Sequence, residues 1–235
     1  MKKLFIVVLI GIFTITAFGL QVNDIVNTSI YNSKGFKAEV KQETQDEKGN
    51  TAKSNYTLYN KGDFSRVDMK LTSEMMKNPA QLQQMKMMGL DERQMIIERT
   101  EDDTKVMVIY PRNQAYFYLK NKQALDQIKS SGGYEKTLKK KVEKLGKEKI
   151  NEKDLVKYKV LENEENIKEN YMYIDPKDKL IKASKTVTTD GAEVFQSMNN
   201  FEIGIDNSVF SEPKGYTKYK NAMDMQRAIM QQFGG

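Results

Sequence analysis

The sequence predicts an α+β fold, mainly antiparallel β, in which one large curved sheet carries helices on one face. Phe36, Ala38 and Val40 alternate with charged residues, which is typical of a half-buried strand. Turns of two to five residues, such as 46–50 and 60–63, can join only antiparallel neighbours. About ten strand-like segments occur in the chain with no internal repeat and no low-complexity linker. These observations favour a single β-rich domain.

The strands are expected at 36–41, 53–59, 64–70, 94–99, 105–110, 114–119, 141–149, 155–162, 170–174, 179–188 and 192–205. The segments at 105–110 and 114–119 are apolar at consecutive positions, which predicts strands that are covered on both faces. An Asp-Pro turn at 175–178 and an Asp-Gly turn at 189–191 separate the later strands.

Four helices are expected, and the longest interrupts the strand pattern. A short helix is predicted at 22–33, another at 122–129 and a closing helix at 222–233. The segment 72–90 has the composition of a helix, with Ser73 as its N-cap and Pro79 as an internal interruption. This segment is rich in methionine.

The first nineteen residues have the pattern of a secretory signal peptide. Met1 is followed by two lysines, then an uncharged apolar run, then small residues at Ala17 and Gly19. Cleavage after Gly19 would leave 20–235 as the mature domain in the periplasm. The alternative is an uncleaved anchor, because the run is nearly long enough to cross a bilayer. The chain has no cysteine, so a lipid-anchored product and disulfides are excluded.

The composition leaves little room for catalysis. The 235-residue chain has no histidine and no cysteine, which excludes Ser-His-Asp and Cys-His machinery and imidazole metal sites. The adjacent pairs Asp102-Asp103 and Glu164-Glu165 lie in polar stretches that read as solvated turns. A calcium cage at 101–103 matches no known loop pattern. We expect no enzyme activity, no cofactor and no metal.

The net charge of +6 is small for the length, and acidic and basic residues alternate through most segments. The only tight basic run, 139–141, is flanked by acidic residues, so the sequence does not indicate a nucleic-acid surface. Weak attraction to anionic lipid headgroups stays open.

Apolar side chains that can adapt to a ligand are the positive signal. The chain has fourteen methionines, and methionine conforms to ligands of variable shape. The candidates for a lid are Met75, Met76, Met85 and Met88, and Leu82 of the same segment is a further ligand-binding candidate. The candidates for the cavity wall are Tyr116, Tyr118, Tyr171 and Phe201. The alternative is that these residues simply fill the core.

The order of motifs resembles a known family. The motifs are the signal peptide, a short helix, Gly35-Phe36-Lys37-Ala38-Glu39-Val40, Tyr171-Met172-Tyr173-Ile174-Asp175-Pro176-Lys177, Thr189-Asp190-Gly191 and Phe210-Ser211-Glu212-Pro213-Lys214-Gly215. Over nearly the whole mature chain this is similar to the LolA/LolB superfamily of periplasmic lipoprotein carriers and their outer-membrane lipoprotein-sorting relatives. The resemblance implies an unclosed (half) β-barrel of about ten to eleven strands, with helices covering the open face of an acyl-chain cavity.

One departure from the family matters for mechanism. The carriers proper have an arginine after the second strand that helps keep the lid closed, and the matching position here is Gly62. That switch does not carry over. Arg66 is near in sequence, but nothing in the sequence shows that it substitutes.

The sequence therefore suggests a non-catalytic periplasmic carrier that binds the acyl chains of a lipoprotein or lipid. The expected partners are those acyl chains and membrane-bound donor or acceptor proteins, with no nucleic acid, and the protein is expected to be a monomer. The alternative is an envelope sensor or scaffold that uses the same fold to bind a partner protein.

Overall fold

Twelve strands form one unclosed sheet in the computed structural model, which describes residues 21, 25–76, 78–100, 103–122, 125, 140–161, 163 and 165–233. The strands are β1 (Phe36–Gln45), β2 (Thr51–Lys61), β3 (Phe64–Lys70), β4 (Glu92–Arg99), β5 (Thr104–Tyr110), β6 (Ala115–Tyr118), β7 (Val142–Ile150), β8 (Lys153–Val160), β9 (Ile167–Ile174), β10 (Ile181–Thr188), β11 (Glu193–Ile203) and β12 (Thr217–Tyr219). The signal-peptide prediction lies outside the described residues, as does most of the helix expected at 122–129.

In space the strands follow the order β12-β6-β5-β4-β3-β2-β1-β11-β10-β9-β8-β7. All neighbours are antiparallel except β12 and β6, which are parallel. The predicted α+β half-barrel is therefore confirmed, with twelve strands rather than ten or eleven. The added strand is β12, whose three residues are too short to show an alternation in sequence.

Two α-helices accompany the sheet in the described residues, α1 (Pro79–Met87) and α2 (Ala222–Phe233). The bounds of α2 are those predicted. The expected helix at 72–90 is wrong in extent, because α1 begins only at Pro79. Its N-cap is Asn78, whose Oδ1 accepts hydrogen bonds from the backbone N–H groups of Ala80 and Gln81. Ser73 is not the cap, and Pro79 opens the helix, where its missing N–H is not needed.

The helix expected at 22–33 is shorter in the described residues and differs in kind. It is helical from Thr28, and Ile30–Lys34 form a π-helical turn that ends at Gly35. The buried ring of Tyr31 packs edge-on against Phe36, at 5.3 Å between centroids. The Tyr31 hydroxyl accepts a hydrogen bond from the backbone N–H of Ile181 at 2.9 Å, so this turn ties β1 to β10. Burial raises the pKa of Tyr31 above its ordinary value, which keeps the hydroxyl neutral.

Replacing Tyr31 by phenylalanine tests this tie. The substitution leaves the backbone N–H of Ile181 buried without its acceptor, so we expect the free energy of unfolding to fall by about 1–2 kcal/mol. Urea unfolding followed by circular dichroism measures the change. Tyr158→Phe is the matched control, since Tyr158 packs against the same apolar cluster and is only partly buried. Equal midpoints for the two variants would contradict this role.

Candidate functional site

The two faces of the sheet have different neighbours. Alternate residues of a strand point to opposite faces, and directly paired residues share a face. We call the inner face the one that carries Ala38, Leu58 and Val67, which are directly paired in the ladder β1-β2-β3. A continuous apolar cluster occupies this face, to which Phe36, Val40, Met69, Met172 and Met198 also belong. The outer face of β4, β5 and β6 packs instead against residues 205–216.

Methionines and one leucine cover part of the inner face. Leu82 of α1 is buried in the inner-face cluster, and Met75, Met76 and Met85 pack against it while partly exposed. Met85 also contacts a second cluster, which holds the fifth candidate, Met88, together with Met225 and Ile229 of α2. We call Met75, Met76, Leu82 and Met85 the methionine cover. The structure thus brings the predicted lid residues to one face of the sheet.

Helix α1 has few buried contacts with the sheet. Leu82 is its only fully buried side chain, Met85 is partly buried, and three glutamines and one lysine are among its other residues. At its C-terminal end, Arg112 Nη1 donates to the carbonyl of Lys86 at 3.1 Å and pairs with Asp91 at 2.8 Å. Asn113 Nδ2 donates to the carbonyls of Met88 and Gly89. The turn between β5 and β6 therefore satisfies carbonyls that the end of a helix leaves unpaired.

Only one of the four predicted wall residues joins the inner-face cluster. Phe201 packs in the inner-face cluster, with the ammonium of Lys182 4.2 Å from its ring centroid. Tyr116 and Tyr118 lie on the outer face, and Tyr171 lies in an outer-face cluster with Leu155 and Tyr173. The structure separates these three tyrosines from the methionine cover, and we correct their expected position. Strands that are apolar on both faces do not reveal which face a given aromatic joins.

The outer-face tyrosines hold a segment rather than a ligand. The hydroxyls of Tyr118 and Tyr116 donate to the two carboxylate oxygens of Glu212 at 2.7 and 2.9 Å. Lys218 pairs with the same carboxylate at 3.3 Å and lies 4.7 Å from the ring centroid of Tyr118. These hydrogen bonds lower the pKa of Glu212, while burial and the carboxylate raise the pKa of Tyr118 to about 12. The network fastens residues 205–216 and β12 to β6.

This network predicts an acid-sensitive contribution to stability. The lowered pKa of Glu212 means that its contribution is complete above the ordinary glutamate pKa and is lost as the pH falls through the folded-state value. At neutral pH we expect Glu212→Gln to lower the free energy of unfolding by less than about 1 kcal/mol, because the site is solvent-screened. The difference should shrink as the pH falls through the lowered pKa of Glu212 in the folded protein, and it should vanish once the wild-type carboxylate is also protonated. Urea unfolding across pH measures it, with exposed Glu143→Gln as the control; a loss that persists in acid would contradict this assignment.

Two arginines also belong to the inner face. Arg93 and Arg99 share this face with Met95 and Ile97 of β4, opposite residues of β3 that face inward. Burial lowers the pKa of both guanidinium groups, that of Arg99 to about 10. Arg99 Nη1 donates to Ser65 Oγ at 3.2 Å. With a pKa of about 10, Arg99 therefore remains charged at neutral pH.

The sequence analysis did not predict that part of the inner face is polar. Ser54, Gln42, Gln196 and Ser184 stand directly opposite one another across β2, β1, β11 and β10, and all are buried. We call these four residues the polar row. The alternation in 36–45 contained the signal, because Gln42 and Thr44 continue the inward positions of Phe36, Ala38 and Val40.

The position that departs from the LolA/LolB pattern is a tight turn. Gly62 lies between β2 and β3 with φ of +54°, a conformation that favours glycine. Its N–H donates to the carbonyl of Tyr31, and a Cβ added here would approach the carbonyl oxygen of Asn32 to 3.2 Å. An arginine would be strained at this place, so the turn itself accounts for the departure. Arg66 is occupied elsewhere, because it pairs with Asp68 at 2.7 Å on the outer face.

The described residues offer no cluster of three or more acidic, cysteine or histidine side chains that could hold a metal. Of the predicted acidic pairs, Asp102 and Glu164 lie outside the described residues. Asp103 stays within its turn, where its carboxylate accepts from the backbone N–H of Thr104. Within the described part of the chain, we find no helix with the length and apolar character needed to span a membrane.

No family model matches the chain, and no curated protein matches it. Solved structures are similar to it at low identity. An uncharacterized conserved protein from Thermus thermophilus has a TM-score of 0.49 and 11% identity over 86% of this chain and 98% of that one. A LolA superfamily protein from Nitrosomonas europaea has a TM-score of 0.35 and 9% identity over 82% of this chain and 94% of that one. The MucA/MucB complex of Pseudomonas aeruginosa gives 0.44 and 9%, over 86% and 63%. A LolA superfamily protein is thus among the structures that this chain resembles, as the sequence predicts.

Proposed function

We propose that this protein is a non-catalytic carrier of acyl chains, exported to the periplasm by its N-terminal signal. The acyl chains of a lipid or lipoprotein would lie between the inner face and the methionine cover. Each methylene group withdrawn from water contributes about 0.8 kcal/mol, so acyl chains need such a shelter to cross an aqueous compartment. Membrane-bound donor and acceptor proteins belong to the same proposal.

The observation that carries the proposal is the methionine cover on the inner-face cluster. Met75, Met76 and Met85 are partly exposed and unbranched, so they can rearrange around a ligand with little loss of packing. A rigid core would be expected to use branched side chains that are fully buried. Phe201 of β11 packs against the same cluster.

The attachment of α1 supports a cover that can move. One buried leucine, the partly buried Met85 and a few polar contacts hold the helix, whereas the strands beneath are hydrogen-bonded along their length. Elements with few buried apolar contacts open at lower free-energy cost than the core of a domain. An acyl chain could therefore enter by displacing α1 without unfolding the sheet.

Uptake of parinaric acid, a fluorescent fatty acid, tests the proposal directly. We expect saturable binding by the purified protein, and at least about a tenfold weaker affinity for Met85→Asp, because a charge would then face the acyl chain. Met230→Asp is the matched control, since Met230 is exposed on α2. Circular dichroism checks that both variants are folded.

Extraction of the protein purified from membranes provides a second readout. Mass spectrometry should find co-purifying lipid in the wild type and less in Met85→Asp. Absence of both lipid and parinaric acid binding would overturn the carrier proposal. The scaffold alternative would then be favoured, and cross-linking in membranes would be expected to capture a partner protein.

A further inference from the structure

The polar row divides the inner face into two chemically different halves. Towards the start of β1 the inward residues are Phe36, Ala38 and Val40, and these belong to the inner-face apolar cluster. Towards the end of β1 they are Gln42 and Thr44. The same change from apolar to polar runs across neighbouring strands. The residues that continue it are Ser54 on β2, Gln196 on β11, Ser184 and Thr186 on β10, and Asn170 on β9.

Gln196 is the centre of this polar half and is fully buried. Its Nε2 donates to Gln42 Oε1 at 2.8 Å and to the hydroxyl of Tyr56 at 3.1 Å. Its Oε1 accepts from Ser184 Oγ at 3.3 Å. The amides and hydroxyls thus hold one another in place on one face of the sheet, and an ester or amide group could exchange hydrogen bonds with this network.

Sheet pairing does not require these residues to be polar. In the next row towards the start of β1, Val40 is paired with Met198 on the same two strands. Burying amides and hydroxyls costs free energy unless each is bonded, and apolar residues of similar shape can be as stable. Sheet stability therefore does not explain why these buried residues are polar, whereas binding of an amphiphilic ligand would explain it.

The chemistry of the polar half selects an uncharged group. Its side chains are amides and hydroxyls, with no charged residue among them. Lys182, two residues from Ser184 along β10, is already paired with Asp178 at 2.6 Å and lies over Phe201. The inner-face arginines Arg93 and Arg99 stand on β4, four strands away from Gln196 on β11. A carboxylate or phosphate would lose its hydration at the polar row without a cation beside it. An ester or amide group could bond to the row without that loss.

We infer that the polar row binds the uncharged ester or amide group of an acyl ligand whose chain lies beneath the methionine cover. This inference rests on the proposed carrier function and adds the class of head group to it. The protein should therefore prefer acylglycerols and acyl amides to free fatty acids of the same chain length.

Displacement of parinaric acid tests this preference with laurate, lauramide and monolaurin, which share one acyl chain. At a pH where laurate is ionised, we expect lauramide and monolaurin to displace the probe at concentrations about tenfold lower than laurate. Lauramide carries an acyl amide and monolaurin an acyl ester, so comparing the two shows which of these groups the polar row binds. Gln196→Leu should reduce the preference to about twofold or less.

Thr186→Val keeps the side-chain volume, so it provides a second test of the inference if Gln196→Leu does not fold. We expect it to lower the preference about threefold, while Thr57→Val on the outer face leaves it unchanged. A wild type that binds laurate as well as lauramide and monolaurin would overturn the inference, and so would variants that keep the full preference. If the wild type does not bind parinaric acid at all, the carrier proposal itself fails, which is a distinguishable result.

Discussion

Replacing Leu58 by alanine is expected to lower the free energy of unfolding by about 3 kcal/mol. Leu58 has no exposed surface and lies in the middle of the inner-face cluster, between Ala38 on β1 and Val67 on β3. The substitution removes three carbon atoms, so the transfer free energy of burying them is lost. It also leaves a cavity, because the hydrogen-bonded strands cannot move together to close it. Urea unfolding, with the slope compared between variants, measures the loss.

Leu145→Ala is the matched control for this prediction. Leu145 lies on the edge strand β7 and is 47% exposed, so the same chemical change should alter stability by less than about 0.5 kcal/mol. Similar losses at the two positions would mean that Leu58 is not at the centre of the core. An unchanged midpoint for Leu58→Ala would have the same meaning.

Replacing Arg112 by alanine is expected to cost about 2 kcal/mol and to free α1. The carboxylate of Asp91 is only 2% exposed and would lose its ion-pair partner, while the carbonyl of Lys86 would lose a donor. Removal of one partner from a buried ion pair is costly, and the half-exposed position of Arg112 moderates the cost because water can enter. Urea unfolding measures the global loss. Hydrogen exchange should show reduced protection within Pro79–Met87.

Arg227→Ala controls for the loss of a surface arginine. Arg227 is 72% exposed and lies 3.9 Å from Asp224, so its removal should change stability by less than about 0.5 kcal/mol. Arg112→Lys retains a positive charge near Asp91 and separates charge from geometry. If Arg112→Ala left exchange in α1 unchanged, the turn between β5 and β6 would not be the anchor of this helix.

The strands were predictable because their local pattern agrees with their tertiary role. The alternation at 36–41 and the turns at 46–50 and 60–63 determine a meander from neighbouring residues alone. Residues 105–110 were expected to be covered on both faces, and Val106 and Met107 are indeed buried on opposite sides. The same reasoning placed α2, whose apolar residues recur at helical spacing.

The Met-rich segment shows where local reasoning fails. Its composition allows a helix over all of 72–90, yet α1 occupies only Pro79–Met87. Asn78 and Ser73 are both acceptable caps by residue type. Packing selects Asn78, because residues 72–76 turn to bring Met75 and Met76 onto the inner face.

The amino-acid sequence by itself determined the order of strands and turns, the absence of histidine and cysteine, and hence the kinds of chemistry that are closed to this protein. Tertiary structure alone decided which side chains share a face. It put Tyr116, Tyr118 and Tyr171 on the outer face, and it aligned Ser54, Gln42, Gln196 and Ser184 in one row. The physical reason is that alternation along one strand is local, whereas the register between strands distant in sequence depends on the packing of the whole sheet.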